Sequence, residues 1–244
     1  MWSWGITISA VFTACKPDDD DGNGNTDVQL VKTIIEYSYH DYANESYIDT
    51  TYKNFEYDNK NRVINMSWYY KNGSTITTLT YNGNDLVKMT NYIDNQFNFI
   101  LDFSKKGNKI TANFRYSDEE EYEAELNSDG YPIKMGQGGE NINTFQYLDG
   151  NVASIITTYD NRTFKYDDKK SPLYYCKTPK WFSIGVGQLF SLFAIKNNII
   201  EWNYKHTHDG EIYERTTEYT YEYDNNDFPT KMYQDGKLIA TFTY

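Results

Sequence analysis

The sequence has little of the two residue types that usually staple an exported fold or hold a metal. Its 244 residues include two cysteines and three histidines. Two cysteines allow at most one disulfide, which excludes a small disulfide-held scaffold. Proline is also scarce, with five residues, and no Ser/Pro-rich linker or long charge block divides the chain after residue 28. A single domain over residues 28–244 is therefore predicted.

Positive charge is scarce as well. The chain has 23 Lys and Arg against 35 Asp and Glu, which gives a net charge of −12 and a pI near 4.7. Nucleic acids and anionic membrane surfaces are bound through basic patches. The sequence therefore predicts no nucleic-acid partner, and its charge is typical of a solvated surface.

Aromatic side chains are abundant, at 18% of the residues with 25 tyrosines. Many of them open a recurring pattern, in which an aromatic or apolar residue precedes a short Asn/Asp/Gly turn, here called the elbow, and then an apolar strand. The copies begin at Tyr57, Tyr81, Phe103, Leu126, Tyr147, Tyr166 and Tyr223. The first six begin 19 to 24 residues apart, and a period of that size marks a repeated supersecondary unit.

Each unit is predicted to be a β-hairpin step. Thr217–Tyr223 alternates Thr or Glu with Tyr, which is the two-residue period of a half-buried strand. A second set of turns lies between the elbows, at Asn72-Gly73, Asp94-Asn95, Asp160-Asn161 and Asp235-Gly236. These residue types tolerate the positive φ of type I′ turns. The sequence therefore predicts an all-β fold, an antiparallel meander of about 14 to 15 strands in a barrel-like or strongly curved sheet.

The apolar segment Pro179–Ala194 interrupts the meander. Its length of about sixteen residues is short for a membrane span of about 20. The spacing of Leu189, Leu192 and Phe193 suits a helix. We expect one short helix or plug near residues 180–195, packed against the concave, tyrosine-lined face of the sheet. A ligand lid or a membrane anchor is the alternative.

Residues 1–15 are predicted to be a lipoprotein signal peptide. Ile6–Phe12 is apolar, and Phe12-Thr13-Ala14-Cys15 has the small residues and the cysteine of a bacterial lipoprotein cleavage site. Lipidation is therefore expected at Cys15, with a disordered terminus and an incidental cysteine as the alternative. Residues 16–27 are acidic and glycine-rich and are predicted to be a flexible tether. Cys176 then has no disulfide partner, so a buried, inert thiol is expected there.

Few residues suggest chemistry. His206-Thr207-His208-Asp209 places two imidazoles on one strand face, which would bind a metal if a third ligand converged on them. The alternative is a solvent-exposed strand end, and no metal site is predicted. The acidic run Asp118–Glu121 suits a solvated loop. Because no phosphate-binding loop or serine-nucleophile motif is present, no catalytic residue, cofactor or enzymatic activity is predicted.

Aromatic side chains supply the candidate ligand-binding residues, which are Trp68, Tyr69, Tyr70 and Trp202. Rings of this kind stack on sugars when they are exposed. Packing within the fold is the alternative interpretation for each of them.

Two stretches, Phe55–Val63 and Tyr221–Phe228, resemble the aromatic-x-Tyr-Asp-x-x-Gly-Arg-Leu unit of YD (Rhs-type) repeats. Those repeats are β-hairpin units that spiral into shells. In this chain Asn61 or Asp227 stands at the glycine position, and the arginine is kept only at Arg62.

Most of residues 28–244 is similar to a family of secreted bacterial lipoproteins of unknown function with a porin-like fold. The similarity includes Ser171–Leu173 and Lys177–Phe182. It implies a barrel-like antiparallel sheet and supplies no catalytic residues. In addition, Lys16–Asn25 resembles the acidic export signal of surface lipoproteins in some Gram-negative bacteria, which implies an outward-facing protein.

Together these features predict an outer-membrane lipoprotein, exposed at the cell surface or, alternatively, on the periplasmic face. It is expected to be a non-catalytic binding or structural scaffold for a protein or glycan partner. A carbohydrate-binding accessory protein of a polysaccharide-uptake system is the alternative, and a hydrolase with paired acids at the barrel mouth is a third hypothesis. The mean hydropathy of −0.77 and the polar faces of the strands favour a barrel that stands in water and is filled by its own aromatic side chains.

Overall fold

The structure of the chain, a computed structural model, describes residues 28–42, 45–115, 121–137, 140–186, 195–208 and 211–244. The predicted signal peptide and tether, with Cys15, lie outside the described residues. So do Leu189, Leu192 and Phe193 of the predicted plug and most of the acidic run. The division into signal peptide, tether and one domain therefore stays a prediction.

Sixteen described strands form one antiparallel meander that closes on itself. They are β1 (Thr33–Tyr42), β2 (Glu45–Tyr57), β3 (Val63–Tyr70), β4 (Gly73–Asn82), β5 (Asp85–Ile93), β6 (Gln96–Lys106), β7 (Lys109–Phe114), β8 (Tyr122–Leu126), β9 (Pro132–Gln137), β10 (Glu140–Leu148), β11 (Asn151–Ile156), β12 (Asp160–Lys170), β13 (Asn197–His208), β14 (Glu211–Tyr223), β15 (Pro229–Gln234) and β16 (Lys237–Thr243). The pairing of β16 with β1 closes the barrel. The predicted all-β antiparallel barrel is confirmed, and its strands slightly outnumber the prediction because eight successive hairpins contribute two each.

Burial identifies the inner face of the wall. Ile34 has no exposed surface, and it lies opposite Lys53 of β2 and Phe242 of β16. Residues directly opposite each other across paired strands share a face, and the face alternates along each strand. The inner face can therefore be followed from strand to strand, and register shifts at several β-bulges change its parity.

Six of the seven predicted elbows lie between strands, all at the same end of the barrel, whereas Tyr166 and the four residues that follow it are part of β12. In the three longer elbows, one side-chain oxygen accepts the backbone N–H groups of the residues two and four positions later; these acceptors are Asp58, Asn127 and Asp224. Three residues after each acceptor, the chain adopts a positive φ, at Asn61, Gly130 and Asp227. An Asx turn closed by a left-handed residue explains why this part of the pattern requires Asp or Asn first and Asn, Gly or Asp later.

Tyrosines at this end of the barrel connect the last part of an even-numbered strand to the start of the strand before it. Six of them donate their hydroxyl to a backbone carbonyl at 2.6–3.0 Å: Tyr57 to Val31, Tyr81 to Val63, Tyr147 to Pro132, Tyr166 to Val152, Tyr221 to Ile199 and Tyr244 to Pro229. We call this set the tyrosine ladder. Burial raises the pKa of Tyr81 to about 12 and raises the pKa values of the other five further. The ladder explains why so many units of the sequence contain a tyrosine that is partly buried.

The segment between β12 and β13 fills the same end of the barrel. Trp181, Phe182 and Ile184 are buried in and beside a π-helical turn, Phe182–Val186, and Phe182 has no exposed surface. The ring of Phe103 on β6 packs edge-on against both Trp181 and Phe182, with centroids 5.2 and 6.0 Å away. The predicted plug is confirmed as far as Val186. No helix in the described part of the chain is long and apolar enough to cross a bilayer.

Further contacts fix this segment to the barrel. The backbone N–H of Lys177 donates to the carbonyl of Asn61 in the first elbow, at 2.9 Å, and the backbone N–H of Val63 donates to Thr178 Oγ1, also at 2.9 Å. Cys176 is buried, with Sγ 3.3 Å from Thr178 Oγ1, as expected for a structural thiol. We call this end of the barrel the plugged end and the opposite one the open end.

Turns at the open end agree with the sequence only in part. Asp94-Asn95 and Asp235-Gly236 form the predicted turns, with positive φ at all four residues. Asp160-Asn161 was predicted to be a turn, and this is wrong, because the chain bends at Thr157–Tyr159 and Asp160 begins β12. Asp160 lies in the barrel wall, where its carboxylate bonds to the side chains of Tyr204 and His206 on β13.

Candidate functional site

The inner wall of the open end carries a cluster of polar and aromatic side chains. Its centre is on β12, β13 and β14, where Phe164 opposes Trp202, Arg162 opposes Tyr204 and Asp160 opposes His206. The next pairs along β14 are Tyr204 with Arg215 and His206 with Tyr213. Phe164 and Trp202 pack against the buried core, which places this face inside the barrel. We call the set Asp160, Arg162, Trp202, Tyr204, His206, Tyr213 and Arg215 the wall cluster.

Asp160 organises the wall cluster. One of its oxygens, Oδ1, accepts hydrogen bonds from the Tyr204 hydroxyl at 2.9 Å and from His206 Nδ1 at 2.6 Å, and its Oδ2 lies 3.4 Å from Arg162 Nη2. The hydrogen bond from His206 lowers the pKa of the Asp160 carboxyl; burial opposes this and the bond from Tyr204 adds to it. In turn, the bond to Asp160 and then burial raise the pKa of Tyr204. Asp160 is therefore a carboxylate and Tyr204 a neutral phenol at neutral pH.

The rings of the cluster are fixed by one another. The imidazole of His206 lies nearly parallel to the ring of Tyr204, with centroids 6.2 Å apart, and Trp202 and Tyr213 meet Tyr204 edge-on at 6.3 Å. The Arg162 guanidinium stands 5.7 Å from the Tyr204 ring centroid. This wall presents a fixed array of aromatic surfaces and N–H donors.

Two donors in this wall are left without a partner. Trp202 Nε1 and Arg162 Nε are buried and make no hydrogen bond within the described residues. Arg215 is exposed and forms no ion pair there. A buried donor without a partner costs about 1–3 kcal/mol. Neighbouring atoms cover both donors, so a ligand that supplies acceptors to Trp202 and Arg162 would recover that cost once the covering side chains move aside. Hydroxyl, carbonyl and carboxylate oxygens all meet this requirement.

The four predicted ligand-binding residues are not brought together. Trp202 belongs to the wall cluster, and Trp68 lies on the inner face of β3, where it opposes Lys53. Tyr70 is on the same face as Trp68, but Tyr69 points to the outside and pairs with Tyr52. The Trp68 and Trp202 strands are six steps apart around the barrel, or about 29 Å along the wall at the usual strand spacing. One small ligand therefore does not contact both.

Trp68 lies in a smaller polar contact of its own. Lys53 Nζ is 4.8 Å from the Trp68 ring centroid and 2.6 Å from Glu36 Oε1. The two charges of this ion pair neutralise each other. Packing and charge pairing account for Trp68, whereas Trp202 keeps an unused N–H group.

Sequence reasoning missed most of the wall cluster. Asp160, Arg162, Tyr204 and Tyr213 were not singled out, although Asp160-x-Arg162-x-Phe164 and Trp202-x-Tyr204-x-His206 place every second residue on one strand face. The sequence offers two interpretations for His206, a metal ligand or part of a solvent-exposed strand end. His206 bonds to Asp160, and no group of three His, Cys, Asp or Glu side chains among the described residues is arranged to hold a metal.

No protein-family model matches the chain, and no protein of curated function matches it. Among solved structures, the chain is similar to a porin-like protein from Bacteroides uniformis, with 14% sequence identity, 87% of this chain and 96% of that chain covered, and a TM-score of 0.37.

Proposed function

We propose that the protein is a non-catalytic binding scaffold, held at the outer membrane by a lipid on Cys15, that takes its ligand on the wall cluster. The observation that carries the proposal is the pair of buried donors, Trp202 Nε1 and Arg162 Nε, which lack partners within the described residues and lie on one patch of the inner wall. A purely structural barrel would gain by filling those positions with apolar groups, because unpaired buried donors are destabilising.

A saccharide is the favoured ligand, as in the carbohydrate-binding accessory role. Sugar rings stack on aromatic faces and carry many hydroxyl acceptors. The wall cluster offers Trp202, Tyr204 and Tyr213 as rings, with Arg162 and Arg215 as donors beside them. Two arginines on an inner wall also suit a sugar that carries a carboxylate.

The outer face supports a barrel that stands in water beside the membrane. On β12–β14 it carries cross-strand ion pairs between Lys165 and Glu201 at 2.8 Å and between Lys205 and Glu214 at 2.9 Å. A charge on the lipid-facing side of a membrane barrel costs about 2–4 kcal/mol at the midplane. In this proposal the lipid on Cys15 anchors the barrel to the membrane.

The plugged end would face the membrane in this arrangement. The described chain starts at Val28, and the Val31 carbonyl bonds to Tyr57 at the plugged end. A flexible tether over residues 16–27 has a root-mean-square span of roughly 20 Å. The lipid on Cys15 would therefore hold the plugged end near the bilayer and turn the wall cluster outward.

Ligand binding is tested with an array of neutral and acidic polysaccharides, followed by titration of intrinsic tryptophan fluorescence. We expect Trp202→Phe, which keeps a ring and removes the N–H group, to weaken binding about tenfold. Tyr69→Phe, on the outer face, is the matched control and should bind as the unchanged protein does. Equal binding by Trp202→Phe, or no polysaccharide bound at all, would remove the saccharide hypothesis.

Anchoring is tested separately with Cys15→Ala. The variant should lose the mass of the lipid and move from the membrane to the soluble fraction. If the variant stays on membranes with an unchanged mass, the anchor is wrong, and the result for the wall cluster is not affected.

A further inference from the structure

The two edges of β1 are paired very unequally. Its edge toward β2 is paired along the whole strand, from Thr33 opposite Asn54 to Tyr42 opposite Glu45. Its edge toward β16 is paired only over Thr33–Glu36. The cause lies in β16, where a bulge leaves Ile239 between the Ala240 and Leu238 pairs with β15. Bulges bend a strand, and here the bend separates β16 from the upper half of β1.

A gap in the wall results from this separation. It contains a cavity of about 610 Å³, lined on one side by Glu36–Tyr39 and on the other by β16 with parts of β14 and β15. The Tyr39 side chain reaches across the gap, where its hydroxyl donates to the Leu238 carbonyl at 2.9 Å and its ring lies 5.4 Å from Lys237 Nζ. Side-chain contacts have replaced a strand pairing at this point.

The backbone of β1 presents hydrogen-bonding groups to the gap. Phe55 donates its backbone N–H to the Lys32 carbonyl, so the even-numbered residues of β1 bond to β2 and the odd-numbered ones point the other way. Thr33 and Ile35 use those groups on β16, but Tyr37 and Tyr39 have no opposing strand residue within the described chain.

A second open edge in the same region is protected, whereas this one is not. β14 pairs with β15 only over Tyr219–Tyr223, which leaves Glu211–Glu218 with an open edge. That stretch carries Glu211, Glu214, Arg215 and Glu218, and charged side chains of this kind prevent a foreign strand from pairing. The open stretch of β1, Tyr37–Tyr42, carries one carboxylate, Asp41, and the part of it that lines the gap, Tyr37-Ser38-Tyr39, has no charge. The chain thus blocks one edge of the gap and leaves the other available.

We propose that the gap between β1 and β16 binds an extended peptide segment of a partner protein, which adds as a strand to the Tyr37–Tyr39 edge. Above the β15–β16 turn, β14 and β1 are three strand spacings apart, or about 14 Å. This width leaves room for two strands, and the charged edge of β14 leaves only the position beside β1 open to a foreign strand. A second copy of this barrel does not fit, because the wall of that copy would meet β14. Strand addition draws its affinity from backbone groups, which suits an uncharged edge.

The test uses the full chain and a fluorescent seven-residue peptide of alternating Thr and Val, with binding followed by anisotropy. One peptide is unmodified, the second is N-methylated at alternate residues, which blocks one of its edges, and the third is N-methylated throughout. We expect the first two to bind and the third to lose binding at least about tenfold, because only one peptide edge faces β1. Equal binding of all three, or no binding of the first at about 1 mM, would overturn the proposal.

Two variants locate the site. Tyr39→Pro removes an N–H group that points into the gap and that β2 does not use, so the fold should tolerate it, and binding should fall at least about tenfold. Tyr39→Phe keeps that N–H group and removes only the hydroxyl bridge to Leu238, so it should bind as tightly as the unchanged chain or more tightly. Unchanged binding by Tyr39→Pro argues against the site. A dimer that the peptide dissociates, seen by light scattering, would assign the gap to a second copy and overturn the partner-protein proposal.

Discussion

The interior of the barrel is lined by different kinds of side chain at its plugged end and at its open end. At the plugged end, Phe103, Trp181 and Phe182 fill the interior, and the tyrosine ladder supplies donors to backbone carbonyls. At the open end, charged and aromatic side chains line the wall, and the donors of Trp202 and Arg162 remain unused. A barrel of sixteen strands is wide enough to hold an aqueous interior, so filling one end is what gives this wall a core. Stability and binding are therefore expected to reside at opposite ends.

Phe182→Ala should have the largest effect on stability. The ring is fully buried against Phe103 and Trp181, and removing a buried phenyl ring costs about 3–5 kcal/mol. Urea unfolding followed by far-ultraviolet circular dichroism measures the loss. Tyr213→Ala at the open end is the control; its ring is 57% exposed, so the expected change is about 0.5 kcal/mol or less. Similar losses in the two variants would contradict a core confined to the plugged end.

Asp58→Ala should have the next largest effect, about 2 kcal/mol, because it removes two backbone hydrogen bonds and the pair with Arg62 at 2.6–2.8 Å. The matched variant at an open-end turn is Asp94→Ala, which loses one bond from the Ser74 N–H and should cost about 1 kcal/mol. Urea unfolding of both variants makes the comparison.

Acid sensitivity gives an independent measure of the same residue. Burial acts to raise the pKa of Asp58, but the hydrogen bonds from Arg62 and from the backbone outweigh it, and the net pKa is lowered. The stabilisation is thus present above the unfolded-state pKa of about 4 and is lost as the pH falls through the lower folded-state value. Asp58→Asn should reduce this acid-dependent loss. An unchanged pH profile would show that Asp58 does not titrate in this way.

The elbows could be predicted from the sequence because their causes are local. Asp58, Asn127 and Asp224 bond to backbone groups no more than four residues away, and Asn61, Gly130 and Asp227 supply the positive φ. Contacts of this kind require particular residues at short, fixed spacings, so they produce a short sequence pattern that repeats along the chain. The closure of β1 on β16 joins residues about 200 positions apart, so no short pattern records it.

The wall cluster was less predictable because the inner face depends on strand register. Bulges next to Tyr57 and Tyr92 shift the alternation by one residue, and a single shift reverses every side chain beyond it. Trp68, Tyr69 and Tyr70 were grouped from their proximity in sequence, yet Tyr69 lies on the other face. The pair Asp160-Asn161 has the composition of a turn. The true contacts of Asp160 leave no local pattern, because its partners, Tyr204 and His206, are more than 40 positions away.

Tyr147→Phe tests the tyrosine ladder and should cost about 1 kcal/mol, because the Pro132 carbonyl would lose its donor. Tyr122→Phe is the control, since its hydroxyl has no hydrogen-bond partner within the described residues, and its stability should be nearly unchanged. Burial raises the pKa of Tyr147 well above its usual range. Stability is therefore expected to fall as the pH rises past the unfolded-state pKa of about 10, and less steeply in Tyr147→Phe. An equally steep alkaline loss in this variant would argue that Tyr147 is not involved.

Asp160→Asn should have the smallest effect on stability, about 1 kcal/mol or less, although Asp160 has three side-chain partners. The wall cluster lines the open interior, and polar groups exposed there can exchange a protein partner for water at little net cost. The asparagine still accepts from Tyr204, but it weakens the attraction to Arg162. Urea unfolding of Asp160→Asn beside Asp58→Ala compares an organising carboxylate at each end of the barrel. A loss at Asp160 as large as that at Asp58 would mean that the open end also supports the fold, and the division between a stabilising end and a binding end would fail.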